Sequence, residues 1–211
     1  MRYYKFCLLI VTILSCSLDQ DKKTDQDGHV LTIDVNEDDW QKEFKLSNFA
    51  SKIDYVVLNS PNILISAIKD IKVFGNHIFI QDKLAPRILI YNINNGELLS
   101  RIENQGQGPG EYSNISFFDI HRASKTVHIL DISTGKIFIY GFDGIFKEEI
   151  TARIICRDYG VNEDGSYLFY SPDEQNEFNG NLLKPGLLHL STNRSKLNNI
   201  LMLLADGKSN S

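Results

Sequence analysis

The chain is short of cysteine and lacks any cluster of basic residues, and both shortages narrow the class of protein. Its 211 residues include three cysteines, Cys7, Cys16 and Cys156, and only Cys156 lies in the part that reads as folded. An internal disulfide framework is therefore excluded, and Cys156, inside an apolar run, is predicted to be a small buried residue. The net charge is −5, and no stretch concentrates Lys and Arg. Because phosphate neutralisation needs clustered cations, we expect no nucleic-acid partner.

Motifs for catalysis and metal binding are also missing. Neither His-Glu-x-x-His nor Gly-x-Ser-x-Gly occurs. The five histidines, His29, His77, His121, His128 and His189, do not have metal-ligand spacing. His121 and His128 flank one predicted hairpin, which leaves a zinc site between them open. The sequence therefore predicts no catalytic residues, no cofactor and no metal site of a known type.

The first 15 residues have the pattern of an export signal. Met1–Lys5 is basic, and the nine-residue run Phe6–Leu14 is too short to span the ~30 Å core of a bilayer. The string that ends this run, Ile13-Leu14-Ser15-Cys16, resembles a bacterial lipobox. The resemblance implies cleavage before Cys16 and acylation of Cys16, and two or three acyl chains make a stable membrane anchor. An ordinary secretory signal with an incidental cysteine stays open. Residues 16–28 contain little apolar surface and are predicted to be a polar tether.

Two stretches of the chain align in register at an offset of 49 residues. In each, an apolar strand ends in Asp, a basic residue and Ile follow, and a Tyr stands nine residues after the Asp. The first stretch is Ile71–Glu97, with Asp82 and Tyr91, and the second is Phe118–Ile145, with Asp131 and Tyr140. A period of about 40–50 residues with several short strands per unit is typical of β-propeller blades.

Short apolar or alternating runs separated by turn residues predict an all-β fold for residues 29–211. The strands predicted for the two aligned units are Ile68–Phe74, His77–Asp82, Arg87–Asn92, Leu98–Ile102, Phe117–His121, Thr126–Asp131, Lys136–Tyr140 and Phe146–Thr151. A fainter third unit places Ser171 where Asp82 and Asp131 stand, and then has a longer polar loop, Pro172–Pro185. Earlier strands are predicted at Val30–Asp34 and Asp54–Leu58. At this period the region holds about four units of four-stranded antiparallel sheets.

The glycine-rich string between the two aligned units is Gly106-Gln107-Gly108-Pro109-Gly110-Glu111-Tyr112. A phosphate-binding loop is disfavoured, because no Gly-Lys-Ser/Thr follows it and a strand comes next. Together with the lipobox and the Asp-centred units, the string resembles the six-bladed β-propeller lipoproteins of gut-type Gram-negative anaerobes, whose blades are similar to NHL and TolB-like repeats. The resemblance implies an incomplete six-bladed propeller, either truncated or completed by a partner or by self-association through uncovered blade faces.

Particular structural roles follow for the residues that these motifs contain. Gly106, Gly108, Pro109 and Gly110 are predicted to form a tight turn, which Glu111 and Tyr112 tie to a neighbouring blade. Asp82 and Asp131 are predicted to cap the turns after their strands by accepting bonds from N–H groups two residues on. Arg87 and Lys136 are then solvated or paired with these acids. Metal ligation by Asp82 and Asp131 is the alternative role.

Three hypotheses for function remain open at this level. The first is a non-enzymatic, lipid-anchored binding or scaffold module of the cell envelope, on the periplasmic or outer face of the outer membrane, with a carbohydrate, peptide or protein ligand. The second is a propeller enzyme of lyase, lactonase or hydrolase type that uses Asp82, Asp131, Glu111 or the histidines at a channel mouth. The third is an inactive truncated fragment. A repeat array without a catalytic constellation favours the binding module.

Overall fold

The computed structural model describes residues 45, 47 and 50–202. The chain divides into two compact units, Met1–Ile53 and Asp54–Ser211, and the strands described below all lie in the second. Among the described residues no helix is long and apolar enough to span a membrane. The predicted strand Val30–Asp34, the signal peptide, Cys16 and the tether lie outside the described residues.

Twelve of the strands form three four-stranded antiparallel sheets, and two more form a small hairpin. Sheet I contains β1 (Ile68–Phe74), β2 (His77–Asp82), β3 (Arg87–Asn92) and β4 (Leu98–Ile102). Sheet II contains β5 (Phe117–His121), β6 (Thr126–Asp131), β7 (Lys136–Gly141) and β8 (Phe146–Thr151). Sheet III contains β9 (Asp158–Val161), β10 (Tyr167–Ser171), β13 (Gly186–Leu190) and β14 (Leu197–Met202), and the hairpin is β11 (Asn176–Phe178) with β12 (Asn181–Leu183).

The prediction of an all-β fold built from four-stranded antiparallel sheets is confirmed. The strand bounds of the two aligned units also agree with the prediction, except that β7 extends one residue further, to Gly141. One expectation needs correction, because these sheets stay open without curling or closing into a propeller. The described residues contain three of the roughly four expected sheets, and residues 29–44 of the predicted region lie outside them.

The segment Asp54–Leu58, predicted as a strand, does not form one. Tyr55 and Val57 are 90% and 82% exposed, so this segment lacks the packed face that stabilises a strand. Its backbone joins sheet I only at the next residue, Asn59, whose N–H donates to the carbonyl of Gly96 at 2.8 Å. Apolar alternation alone therefore gave a wrong assignment here, because pairing also needs a partner strand.

In each aligned unit the turn of the last hairpin contains a glycine, and an earlier segment of the chain passes close to this glycine. Gly96 and Gly144 have positive φ values of 70° and 81°. A Cβ on Gly144 would lie 2.5 Å from the carbonyl oxygen of Arg101, and one on Gly96 would overlap the carbonyl of Val57. Both the backbone conformation and the close contact exclude a side chain, which explains why glycine recurs at this place in the repeat.

The apolar core lies between consecutive sheets. Residues of sheet I and sheet II that face each other are fully or almost fully buried, and so are those between sheets II and III. The first layer includes Phe79, Ile88, Ile90, Phe118, Val127, Ile129, Phe138 and Tyr140. The second includes Leu130, Ile137, Ile139, Tyr167, Phe169, Leu188 and Leu190. Sheet II thus buries both faces, and nearly every residue of its central strands β6 and β7 is buried.

Candidate functional site

The glycine-rich string forms the turn that joins sheet I to sheet II. Its two ends meet, because the N–H of Gly106 donates to the carbonyl of Tyr112 at 2.9 Å. The carboxylate of Glu111 folds back within the turn and accepts the N–H of Gly108 at 2.8 Å. The hydroxyl of Tyr112 donates to the carbonyls of Pro86 and Ile102 in or beside sheet I. From sheet II the hydroxyl of Tyr140 reaches the carbonyl of Gly110. The string is therefore built into the joint between the sheets.

Asp131 is fully buried and holds two separate segments. One carboxylate oxygen accepts the N–H groups of Ser133 and Thr134 in the turn that follows β6. The other accepts the N–H groups of Ser113 and Asn114, which lead into β5. Burial alone would raise the pKa of this carboxyl, but the bonds from Ser133 and Ser113 outweigh it and the pKa is lowered. The carboxylate therefore stays ionised and fully bonded.

Of the two kinds of contact that Asp131 makes, Asp82 makes only the one to the segment that leads into the first strand of its sheet. Its carboxylate accepts the N–H and hydroxyl of Ser66 and the N–H of Ala67, just before β1, and pairs with Arg87 at 3.0 Å. Burial opposes ionisation, but these bonds keep the pKa of Asp82 far below its ordinary value. Lys136, the counterpart of Arg87, pairs with Glu149 instead. Because each carboxylate is saturated by protein donors, neither Asp82 nor Asp131 offers a free oxygen to a metal.

A candidate binding groove lies where the first strands of the three sheets run side by side. β1 contacts β5, and β5 contacts β9. Two cavities of about 210 and 230 Å³ flank Asp119 of β5. We call their common lining the first-strand groove, and it consists of Lys72, Val73, Phe74, Asp119, Ile120, Arg122, Val161, Asn162 and Glu163.

Asp119 connects all three sheets across this groove. One of its oxygens pairs with the ammonium of Lys72 at 3.2 Å, and the other accepts the N–H of Val161 at 2.8 Å. Lys72 also lies over the ring of Phe118, 5.6 Å from its centroid. Asp119 and Lys72 are each only partly exposed, so the pair is fixed in place rather than freely solvated. The groove therefore has an ordered charged floor.

The edge of the groove is held by a chain of hydrogen bonds that we call the histidine chain: His121, Ser124, Thr126, His128 and Tyr167. His121 Nε2 contacts the carbonyl oxygen of Glu163 at 2.9 Å, and its Nδ1 contacts Ser124 Oγ at 2.6 Å. Ser124 Oγ lies 2.6 Å from Thr126 Oγ1, which lies 2.8 Å from His128 Nε2. His128 Nδ1 then contacts the hydroxyl of Tyr167 at 2.9 Å. The histidine chain thus links sheet II to sheet III.

When the rings of His121 and His128 are neutral, the carbonyl of Glu163 fixes the direction of every hydrogen bond in the histidine chain. A carbonyl only accepts, so His121 Nε2–H donates to Glu163, and Nδ1 accepts the hydroxyl proton of Ser124. Thr126 must then donate to Ser124 and accept from His128 Nε2–H, which leaves His128 Nδ1 to accept from Tyr167. Burial lowers the pKa of His128 to about 3, assisted by His121 and Arg194, so this ring is neutral at pH 7.

The hydrogen bonds of the histidine chain also bear on the alternative of a zinc site between His121 and His128. The rings of His121 and His128 approach to 5.7 Å between centroids, but all four ring nitrogens already contact protein partners. Over residues 50–202 no group of three or more His, Cys, Asp or Glu has an arrangement that would hold a metal ion. The approach that the sequence anticipated therefore serves hydrogen bonding between the sheets.

The fold defines a class of all-β repeat proteins in which open four-stranded sheets stack face to face. Residues 30–209 match the family model described as "Domain of unknown function (DUF4934)", and the chain belongs to this family. No curated protein matches the chain.

Two solved structures are similar to the chain. A predicted exported protein of Bacteroides fragilis NCTC 9343 superposes with a TM-score of 0.60 at 20% identity, over 72% of this chain and 42% of its own. A member of the DUF4221 family from Bacteroides vulgatus has a TM-score of 0.47 at 8% identity, over 66% of this chain and 43% of its own. The chain thus spans less than half the length of these proteins. At this identity the first likeness concerns the fold alone.

The predicted membership of a six-bladed β-propeller lipoprotein family is wrong. The matching family is DUF4934 rather than an NHL- or TolB-like repeat, and the similar Bacteroides fragilis protein is named as an exported protein and not as a propeller. The stacked sheets are open and do not curl into a ring. The resemblance failed because a 49-residue period of four-stranded sheets specifies how neighbours pack, and does not by itself specify closure.

Proposed function

We propose that the protein is a lipid-anchored module of the cell envelope that binds a carbohydrate non-covalently in the first-strand groove. The observation that supports this proposal most directly is the convergence of β1, β5 and β9. This convergence places Lys72, Asp119, Arg122, Asn162 and Glu163 on the walls of two adjoining cavities. Together the cavities fall in the range of ~300–1,000 Å³ that is usual for small-ligand sites.

The chemistry of the groove favours a hydroxyl-rich ligand. Its exposed lining is mainly charged and amide groups, which donate and accept hydrogen bonds at fixed positions. A peptide bound through its side chains requires apolar pockets, but Phe74 is covered by Arg122 and Ile120 is buried, which leaves Val73, 56% exposed, as the main apolar surface of the lining. A peptide or protein partner, which the sequence also allows, is thus the less suitable occupant.

A glycan array tests the proposal. The mature chain is expected to bind a subset of immobilised glycans, and Asp119→Asn is expected to lose that signal because it releases Lys72 from its ion pair. Asp143→Asn is the matched control, since Asp143 is an exposed turn residue outside the groove. Binding that is equal in the two variants would remove the groove from the proposal, and a complete absence of glycan binding would exclude a carbohydrate ligand.

The envelope location is supported by the basic start, the nine-residue apolar run and the lipobox-like string ending in Cys16. The similar structure from Bacteroides fragilis is of a predicted exported protein, which agrees with an exported chain. We expect metabolic labelling with a fatty-acid analogue to mark the wild-type chain and not Cys16→Ser. A Cys16→Ser chain that still fractionates with membranes at mature length would contradict the anchor.

A hydrolase is the second candidate, and one specific arrangement favours it. Ser124 donates its hydroxyl proton to His121 Nδ1, while His121 Nε2–H is held by the carbonyl of Glu163. A hydroxyl, a base and a group that orients the base form the arrangement of an activated serine. Attack of Ser124 Oγ on an ester carbonyl carbon would pass its proton to His121 Nδ1, and the imidazolium would give that proton to the alcohol that leaves as the ester C–O bond breaks; water would then release the acyl group by the same route. Fluorophosphonate labelling that is lost in Ser124→Ala and kept in Ser195→Ala would favour this candidate over the binding module.

Self-association through an apolar sheet face is a separate part of the proposal. The face of sheet III that points away from sheet II carries Leu187, with Tyr170 43% exposed and Leu201 58% exposed. Light scattering of the mature chain is expected to give a mass above that of the monomer, and Tyr170→Lys is expected to lower it. A monomer at all concentrations would contradict this part alone.

A further inference from the structure

Within residues 50–202, Arg122 differs from most other arginines in having no acidic partner. Of the six arginines in the described part of the chain, Arg87, Arg101, Arg157 and Arg194 each pair with a carboxylate. Arg122 and Arg153 pair with none among the described residues. Both are exposed and both line cavities, but Arg122 alone lies in the first-strand groove.

Arg122 is also held in position without being neutralised. Its guanidinium lies over the ring of Phe74, 5.8 Å from the centroid, and Phe74 packs edge-on against Phe142 at 6.3 Å. A cation over an aromatic face keeps its hydrogen-bond donors free at the rim of the plane. Since Arg122 lines both cavities that flank Asp119, one side chain serves the whole groove.

The two acids that line the groove together with Arg122, Asp119 and Glu163, form no ion pair with it. Both oxygens of Asp119 are already used, by Lys72 and by the N–H of Val161. The backbone of Glu163, which also lines the groove, is fixed by the bond from His121 to its carbonyl. The groove therefore combines a free planar cation with groups of both signs that bond hydroxyls.

The planar fork of a guanidinium matches a carboxylate or a phosphate. The two anions differ in charge, and that difference decides between them here. Asp119 and Glu163 on the same walls oppose a dianion more strongly than a monoanion, because like charges at close range repel in proportion to the charge. A carboxylate on a polyhydroxyl body satisfies both Arg122 and the hydrogen-bonding walls.

We propose that the ligand of the first-strand groove is a sugar acid, with its carboxylate on Arg122 and its hydroxyls on Asn162 and Glu163. This rests on the proposed carbohydrate-binding function and names the chemical class of the ligand. It also assigns the discriminating role within the groove to a single residue, Arg122.

The test is an amide NMR titration of the mature chain with three probes: D-glucuronate, D-glucose and inorganic phosphate. Glucuronate is expected to shift amides of residues 119–122 and 160–163, and to bind about 10-fold more tightly than glucose, as expected for one charged hydrogen-bonded pair. Arg122→Gln is expected to remove that difference, and Arg122→Lys is expected to restore only part of it, because it keeps the charge without the fork. Arg153→Gln is the matched control and should leave all three titrations unchanged.

The outcomes separate this inference from the proposed function. Glucuronate binding that is unchanged in Arg122→Gln, or no glucuronate binding at all, overturns the sugar-acid assignment. If glucose shifts the same groove amides in the wild type, the carbohydrate-binding function survives that failure. Phosphate binding tighter than glucuronate binding, lost in Arg122→Gln, makes the groove an anion site and overturns both. Shifts confined to residues outside the groove overturn both as well.

Discussion

Asp82 and Asp131 occupy the same place in sheets I and II, and each carboxylate holds the chain segment that leads into the first strand of its own sheet. Asp82 accepts from Ser66 and Ala67, before β1, and Asp131 accepts from Ser113 and Asn114, before β5. The repeat therefore encodes a connection between the end of the second strand and the entry to the first. In sheet III the same connection is made without a carboxylate. There the hydroxyl of Ser171 donates to the carbonyl of Ile155, three residues before β9.

Replacing Asp131 by Ala is expected to lower the free energy of unfolding by about 2–4 kcal/mol. The substitution removes the acceptor of several partly buried N–H groups, including those of Ser113 and Ser133, and an unsatisfied buried group costs about 1–3 kcal/mol before the structure relaxes. Urea unfolding at pH 7 measures this change. Asp143→Ala, at an exposed turn with one local bond, is the control and should cost less than about 1 kcal/mol. Equal costs at the two sites would show that Asp131 has no special role.

A comparison of alanine substitutions at two glycines with positive φ can distinguish the cost of backbone strain from the cost of steric overlap. Gly75 has a φ of 57° and open space where a Cβ would stand, whereas Gly144 has a φ of 81° and the carbonyl oxygen of Arg101 2.5 Å from that position. Gly75→Ala is expected to cost about 1 kcal/mol, the penalty of the left-handed conformation. Gly144→Ala should cost at least about 1 kcal/mol more, since sheet I must shift away from the turn. Thermal melting of both variants tests this order, and a Gly144→Ala variant as stable as Gly75→Ala would contradict it.

Cys156 is expected to resist alkylation in the folded protein. The residue is 7% exposed, and burial, reinforced by Asp158, raises the pKa of its thiol to about 12, so almost no thiolate is present at pH 8. Iodoacetamide treatment followed by peptide mass spectrometry should leave Cys156 unmodified in buffer and modify it in 6 M urea, a conventional unfolding condition. Ready modification of the native protein would mean that the edge of sheet III opens more often than its packing suggests.

Local signals predicted the strands better than the connections between them. In the two aligned units the apolar runs and Gly or Asn turns indicated each strand correctly, because those signals lie within a few residues of one another. The β11–β12 hairpin inside Pro172–Pro185 was missed, since its residues are mostly polar. Its Asn176 is nevertheless buried and bonds both backbone groups of Ile155, beside Ser171. Ser171 of sheet III stands where sheets I and II have an aspartate. The inserted loop therefore supplies, through Asn176, the side chain that bonds the segment leading into β9.

The candidate site was beyond prediction from spacing alone. Lys72 and Asp119 are 47 residues apart and meet only because sheet I stacks on sheet II. Sequence reasoning instead weighed Asp82, Asp131 and Glu111, whose motif-like positions reflect the needs of turns and segment entries. The approach of His121 and His128 was anticipated from their hairpin, but Tyr167, which completes the chain, belongs to another sheet. No local signal marks such a partner.

The histidine chain makes a specific prediction about acid stability. His128 is 4% exposed and its pKa is lowered to about 3 by burial, with His121 and Arg194 adding to the effect, whereas an unfolded histidine titrates near 6.5. Because the unfolded chain binds the proton first, this contribution to stability is complete above pH 6.5. It falls by about 1.4 kcal/mol per pH unit as the pH drops toward 3. Between pH 7 and pH 4.5 the free energy of unfolding of the wild type should therefore fall by about 2–3 kcal/mol more than that of His128→Gln, whose amide does not titrate.

Urea unfolding at the two pH values measures the difference. The control is His189→Gln, since His189 is not part of the histidine chain, and this variant should behave as the wild type does. Parallel losses in the wild type and His128→Gln would mean that another group causes the acid sensitivity.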